Sequence, residues 1–70
     1  MVYVFEFSII EVDGNRIILQ TIKQRIKTKD LARAHGESMM HNVLFKDQKA
    51  NVCVIKDQNG TMLCEMRANA

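Results

Sequence analysis

Two glycine turns, Asp13-Gly14-Asn15 and Asn59-Gly60, constrain this chain more than any other feature. Asp-Gly and Asn-Gly are strong hairpin signals, because the tight turns they favour need positive φ, which glycine adopts without steric cost. Each turn lies between apolar stretches: residues 2–12 and 16–27 around the first, 51–57 and 61–67 around the second. The sequence therefore predicts two β-hairpins. The whole chain has 70 residues, so what joins them is a single short segment, and residues 1–70 make one domain.

In the first stretch Tyr3, Phe5, Phe7 and Ile9 alternate with Val4, Glu6 and Ser8. A period of two marks a strand with one buried face. The alternation slips after Ile9, where Ile10 and Val12 are apolar around Glu11, and either a bulge there or exposure of both faces near the turn accounts for the slip. In RIILQTIKQRIK the spacing of Ile18, Ile22 and Ile26 also suits a helix. Richness in Ile and Thr, the tight turn before it and a length matching the first strand favour a strand. Ile18, Ile22 and Ile26 then share a face with Gln20 and Gln24, and Lys23, Arg25 and Lys27 point the other way.

Thr28 is the expected N-cap of a helix running from residue 29 to 43 or 45, with Asp30 at the positive end of its dipole. Leu31, His35, Met39 and Val43 or Asn42 fall on one side of it at helical spacing. Gly36 inside the helix costs about 1 kcal/mol relative to alanine; close approach to a sheet is a physical reason for it, and a break in the helix is the alternative. Residues 46–50 form a short polar connection. The predicted architecture is α+β, ββαββ: a four-stranded antiparallel sheet of order 2-1-3-4 with one helix packed on one face. A right-handed crossover through the helix gives that order.

Cys53 and Cys64 are the only cysteines. A two-residue turn at Asn59-Gly60 pairs Ile55 with Cys64 and Cys53 with Met66, so both thiols join Ile55, Met62 and Met66 on the face toward the helix. They are diagonal neighbours, about 7 Å apart at Cβ, whereas a disulfide wants about 3.5–4.5 Å. His35 projects toward the same face and makes a possible third ligand, but zinc needs a fourth or an open position. His41 lies about 240° around the helix from His35 at 100° per residue. The expectation is two buried thiols acting as small apolar groups, with no metal and no cofactor.

The remaining constellations are sparse. Ser38 and His35 lie one helical turn apart with Glu37 beside them on another face, three common residues on a polar helix. There is no glycine-rich phosphate loop and no forced carboxylate pair. The chain is expected not to be an enzyme.

Charge is more informative than its net value of +2. Residues 1–15 carry Glu6, Glu11 and Asp13 and no base. Residues 16–35 carry Arg16, Lys23, Arg25, Lys27, Lys29 and Arg33 against Asp30 alone, and residues 36–70 balance. A run of this kind can track phosphates, and Lys23, Arg25, Lys27, Lys29 and Arg33 are the candidate nucleic-acid contacts. The same residues also guard an edge strand against aggregation, and no aromatic side chains are interleaved for base stacking. Val2, Val4, Ile10, Ile17, Leu19, Val54 and Leu63 are expected on the sheet face away from the helix. Apolar residues on an uncovered face suggest a partner. Val2, Val4, Leu19, Val54 and Leu63 are therefore the candidate partner-binding set.

The closing hairpin, VCVIKDQNGTMLCEMRA, resembles the end of small bacterial domains of unknown function in which a helix precedes a V-x-V-x-D-x-x-G hairpin, and DLARAHGESM resembles that helix. The similarity covers about half of the chain; the long basic second strand departs from the pattern. It implies a fold and no site. In size and element order the chain is also similar to small phage-encoded inhibitors, including some anti-CRISPR proteins.

These readings converge on a small interaction module, homodimeric and binding a protein partner through its sheet, with nucleic-acid association through the basic segment as the alternative. No apolar run approaches the roughly 20 residues of a spanning helix, and the N-terminus lacks a basic signal-peptide region. A cytoplasmic location with reduced thiols is expected.

Overall fold

The computed structural model describes residues 1–68. The elements are β1 (Val2–Ile10), β2 (Arg16–Arg25), α1 (Lys29–Asn42), β3 (Val52–Asp57) and β4 (Met62–Arg67). All four strands form one antiparallel sheet of order β2-β1-β3-β4, and α1 packs on one side of it, over β3 and β1. This is the ββαββ architecture expected from the two turns.

Both hairpins turn the same way, and the second does not use the two-residue turn anticipated at Asn59-Gly60. Gly14 N–H donates to the Glu11 carbonyl at 2.9 Å, and Gly60 N–H donates to the Asp57 carbonyl at 3.0 Å. Glu11 and Asp57 then pair with Asn15 and Thr61 through N–H···O bonds of 2.8 and 3.0 Å. Each loop is thus three residues long, closed by a glycine at φ near +90° (90° and 88°), the usual alternative to a two-residue turn. The Asp57 carboxylate accepts from Asn59 N–H and Thr61 N–H, both at 2.9 Å.

Each hairpin also carries a bulge, and these decide which way leucines point. Phe7 pairs with Gln20 and Ser8 with Ile18, so Leu19 is an extra residue in β2. Ile55 pairs with Cys64 and Lys56 with Met62, so Leu63 is an extra residue in β4. The first irregularity falls opposite Phe7 and Ser8 rather than after Ile9. Because side chains alternate strictly along a strand, one added residue exchanges faces. Leu19 turns into the core, 4% exposed, and Leu63 packs against it. Ile18 moves to the outer face and is 51% exposed, and Met62 moves with it. Ile17 pairs with Ile9 on the helix side of the sheet.

The core lies between α1 and the inner sheet face. Tyr3, Phe5 and Phe7 from β1 and Cys53 and Ile55 from β3 form its floor. Fully burying one such phenylalanine or isoleucine is worth about 1.5–3 kcal/mol. Phe7 stacks on Phe45 with ring centroids 4.4 Å apart. The helix side of the core is Ala32, Gly36 and Met40, one residue round from the stripe anticipated. Leu31 is left 53% exposed, and His35 and Met39 are half-buried. A Cβ on Gly36 would lie 3.1 Å from Cys53 Sγ, 3.1 Å from Met66 Cε and 3.2 Å from Phe5 Cδ2, so any larger residue would press on three core side chains. Its N-terminus is capped as expected: Thr28 Oγ1 accepts from Leu31 N–H at 3.2 Å.

Two features of the connection between α1 and β3 lie outside what the sequence suggested. Phe45 and Gln48 form a two-residue turn of reciprocal hydrogen bonds, with Lys46 at φ 52° and Asp47 at φ 62°. Asn51 then clasps the end of β1. Its Oδ1 accepts from Ile10 N–H at 2.9 Å, and its Nδ2 donates to the Ile10 carbonyl at 3.2 Å. A side-chain amide thus serves where the β3 backbone does not reach.

Two stability outcomes follow. Gly36→Ala gains about 1 kcal/mol of helix propensity but overpacks the interface, which costs about 1–3 kcal/mol. Urea unfolding should show a net loss, larger for Gly36→Val, and a gain for Gly36→Ala would mean the helix is not held this close. Asn51→Ala leaves both Ile10 groups unpartnered and should cost about 1–3 kcal/mol, with Ile10 N–H exchanging faster in solution. Unchanged exchange at Ile10 would refute the clasp.

Candidate functional site

The outer sheet face has no helix over it. Its rows follow from the pairing: Arg25 beside Val2; Lys23, Val4, Lys56 and Met62; Thr21, Glu6, Val54 and Glu65; Ile18, Ser8, Val52 and Arg67; Arg16 beside Ile10. Five bases, Arg16, Lys23, Arg25, Lys56 and Arg67, share this face with two acids, Glu6 and Glu65. The charge excess seen in residues 16–35 is therefore partly carried onto one face by the sheet.

At the centre, Glu6 Oε2 accepts from Lys56 Nζ at 2.7 Å, and Arg16 Nη2 lies 4.0 Å from Glu6 Oε1. Arg16 Nε donates to the buried Ser8 Oγ at 3.1 Å. Arg67 pairs with Glu65 on the same strand at 3.3 Å. Under these side chains Val52 and Val54 are only 2% exposed although no element covers them. Both lie on the central strand β3 between flanking strands, with Glu6, Lys56, Glu65 and Arg67 at neighbouring positions on the same face, and long side chains can cover apolar surface with their stems. Lys23 and Arg25, in contrast, pair with no carboxylate among the described residues and stand exposed.

The expected partner-binding set is divided by this geometry. Val2 and Val4 lie on the outer face and are half-buried. Val54 lies there too but is screened. Leu19 and Leu63 do not belong to that face; their bulges direct them to the core side. Ile10, Ile18 and Met62 complete the outer apolar surface, and Ile18 and Met62 were missed because a strict period of two places them inward.

The expected basic track is divided as well. Lys23 and Arg25 occupy the outer face of edge strand β2. Lys29 and Arg33 line a cleft of about 270 Å³ with Asp30, Ile55, Leu63 and Cys64, on the helix side and toward the opposite edge. Lys27 sits exposed between the two groups. Five bases contiguous in sequence do not make a continuous line in space.

The chemical candidates resolve in the same way. Cys53 is buried and Cys64 half-buried, both free and both on the inner face, diagonal across the β3–β4 pair as the turn predicted. Burial, with the neighbouring Cys64 second, pushes the Cys53 thiol from an ordinary 9.0 up to about 12. His35 turns away from them: its Nε2 lies 2.8 Å from Gln24 Oε1, and its ring meets Phe5 edge-on at 5.7 Å. Ser38 receives Asn42 Nδ2 on its carbonyl at 3.0 Å and is not joined to His35. No group of three His, Cys, Asp or Glu side chains that could hold a metal occurs among the described residues. No described helix is long and apolar enough to cross a membrane.

Comparison with protein-family models, with curated proteins and with solved structures finds no match to this chain.

The thiols give a direct check. A thiol whose pKa rises on folding adds stability that is fully present below the unfolded value and lost as pH climbs through the folded one. Cys53 should thus cost stability between 9.0 and about 12, on the order of 1 kcal/mol at pH 10. The denaturation midpoint should fall more steeply above pH 9 in the native sequence than in Cys53→Ala. A thiol reagent should label Cys64 first and Cys53 only with opening of the core. Equal labelling rates would show Cys53 facing water.

Proposed function

We propose that this chain is a non-enzymatic interaction module that binds a protein partner through its sheet. The observation that carries the reading is the composition of the uncovered face. Val2, Val4, Ile10, Ile18 and Met62 stand there among a net excess of bases. Exposed apolar side chains interspersed with charge suit a modest, polar protein contact, since such interfaces are about as apolar as the rest of a protein surface. The absence of an assembled nucleophile and base around Ser38 and His35 favours a binding role over a catalytic one.

A second copy is the partner suggested by the small core. Face to face, however, two copies would bring together two surfaces that each carry five bases, Arg16, Lys23, Arg25, Lys56 and Arg67, against two acids, and like charges across an interface are costly. We therefore favour a different and acidic protein. Nucleic acid is served less well, because Tyr3, Phe5 and Phe7 all face inward and leave no stacking platform.

The test is a photo-crosslinking residue placed at Val4, with the remote, exposed Lys49 as control, in the cell that makes the protein. A protein adduct specific to position 4 is expected. Adducts to nucleic acid alone, to a second copy alone, or equally from both positions would overturn the reading. Sedimentation of the purified chain should show a monomer across a concentration series.

A further inference from the structure

We infer that the free edge of β2 takes one more strand, donated by a partner segment that alternates acidic with apolar side chains. This rests on the reading of the sheet as a protein-contact surface and specifies the chemistry it accepts.

The edge is open by topology: β2 is the terminal strand, ten residues long, and pairs only with β1. Hydrogen bonding identifies which of its groups are free. Ile26 N–H donates to the Met1 carbonyl at 2.9 Å, and the Met1 amine donates to the Ile26 carbonyl at 3.3 Å. That reciprocal pair directs the Ile26 backbone toward β1. In an antiparallel ladder such pairs alternate with pairs whose backbone groups point away. Gln24, Ile22 and Gln20 therefore bond β1, and Thr21, Lys23 and Arg25 offer N–H and C=O to the open side.

The two faces of this edge differ sharply. On the outer face stand Thr21, Lys23 and Arg25, and no acidic residue occurs anywhere between Gly14 and Lys29. On the helix side lie half-buried Ile22 and Ile26, which pack against the core as Met39 of α1 does, and Leu31 of α1 is 53% exposed. The His35–Gln24 contact brings that side of the helix to β2.

An incoming strand has side chains pointing to both faces in strict alternation. Acidic groups at every second position would meet Lys23 and Arg25, and apolar groups at the others would extend the Ile22 and Ile26 surface. Opposite charges across a strand pair stabilise it, and like charges destabilise it. The bases that deter a second β2 from adding here are thus the ones that select an acidic strand. The β4 edge is six residues long and carries Glu65 and Arg67 together, so it has no comparable preference of sign.

The probe is a blocked peptide of about eight residues, within the usual strand range, alternating Glu with Val. Two controls are the same composition as a Glu block followed by a Val block, and alternating Lys with Val. Amide exchange followed by NMR should slow at Thr21, Lys23 and Arg25 with the alternating acidic peptide alone. Lys23→Glu with Arg25→Glu should weaken its binding by about tenfold or more and transfer the preference to the Lys peptide. These exposed side chains make no described ion pair, so the fold should persist, which the unchanged exchange of core amides such as Phe5 checks. No slowing at millimolar peptide, equal slowing by the blocked arrangement, or slowing confined to β4 would overturn the inference. If those results appear while the Val4 crosslink to a protein persists, the inference alone fails; loss of both removes the interaction-module reading as well.

Discussion

The contact between Gly36 and the inner sheet face governs this molecule. With no side chain at that position, the helix backbone settles against Cys53, Met66 and Phe5, and the one-residue choice of which stripe faces inward is made there. Ala32 and Met40 follow from it at intervals of four. So does the sideways placement of Leu31, His35 and Met39 toward β2. A small domain has little apolar surface to bury, and a short helix-to-sheet distance lets the aromatic floor of β1 be closed by a single helix.

Much of this was legible from side-chain types. Asp-Gly and Asn-Gly located both hairpins, Thr28 located the helix start, and the pairing of Ile55 with Cys64 and Cys53 with Met66 came out as anticipated. That last agreement arose from compensation: the loop is one residue longer than assumed, and the bulge at Leu63 restores the register. Where no compensation occurred, the reading failed in a specific direction. Leu19 and Leu63 fall inward and Ile18 and Met62 outward, because period-two reasoning carries no signal for an extra residue. The helix stripe was misplaced because leucine outweighs glycine on any hydrophobicity scale, whereas close packing selects the smallest residue. Lys46 and Asp47 were invisible as a turn, since Asp tolerates positive φ but Lys does not favour it and no glycine stands beside them.

The candidate surface shows why contiguity in sequence is a poor guide to contiguity in space. The basic run spans the corner where edge strand β2 gives way to the helix. One part stays on the outer sheet face, and the other crosses to the cleft near β4. Meanwhile Lys56 and Arg67, far away in sequence, join Lys23 and Arg25 on the same face. The open face is also less oily than its sequence suggested. Val52 and Val54 are buried and Glu6 gathers Lys56 and Arg16 at the middle of the face, so what a partner would meet is apolar at the ends and margins and ionic at the centre.

The Asn51 clasp has a mechanical consequence. Beyond it only residues 11–15 of the first hairpin remain, all exposed, with Val12 wholly in solvent. One amide side chain anchors the root of this prong to the sheet. Loop length at its tip is therefore a free variable: residues inserted there would lengthen the prong without disturbing a single buried contact, as long as the root stays pinned.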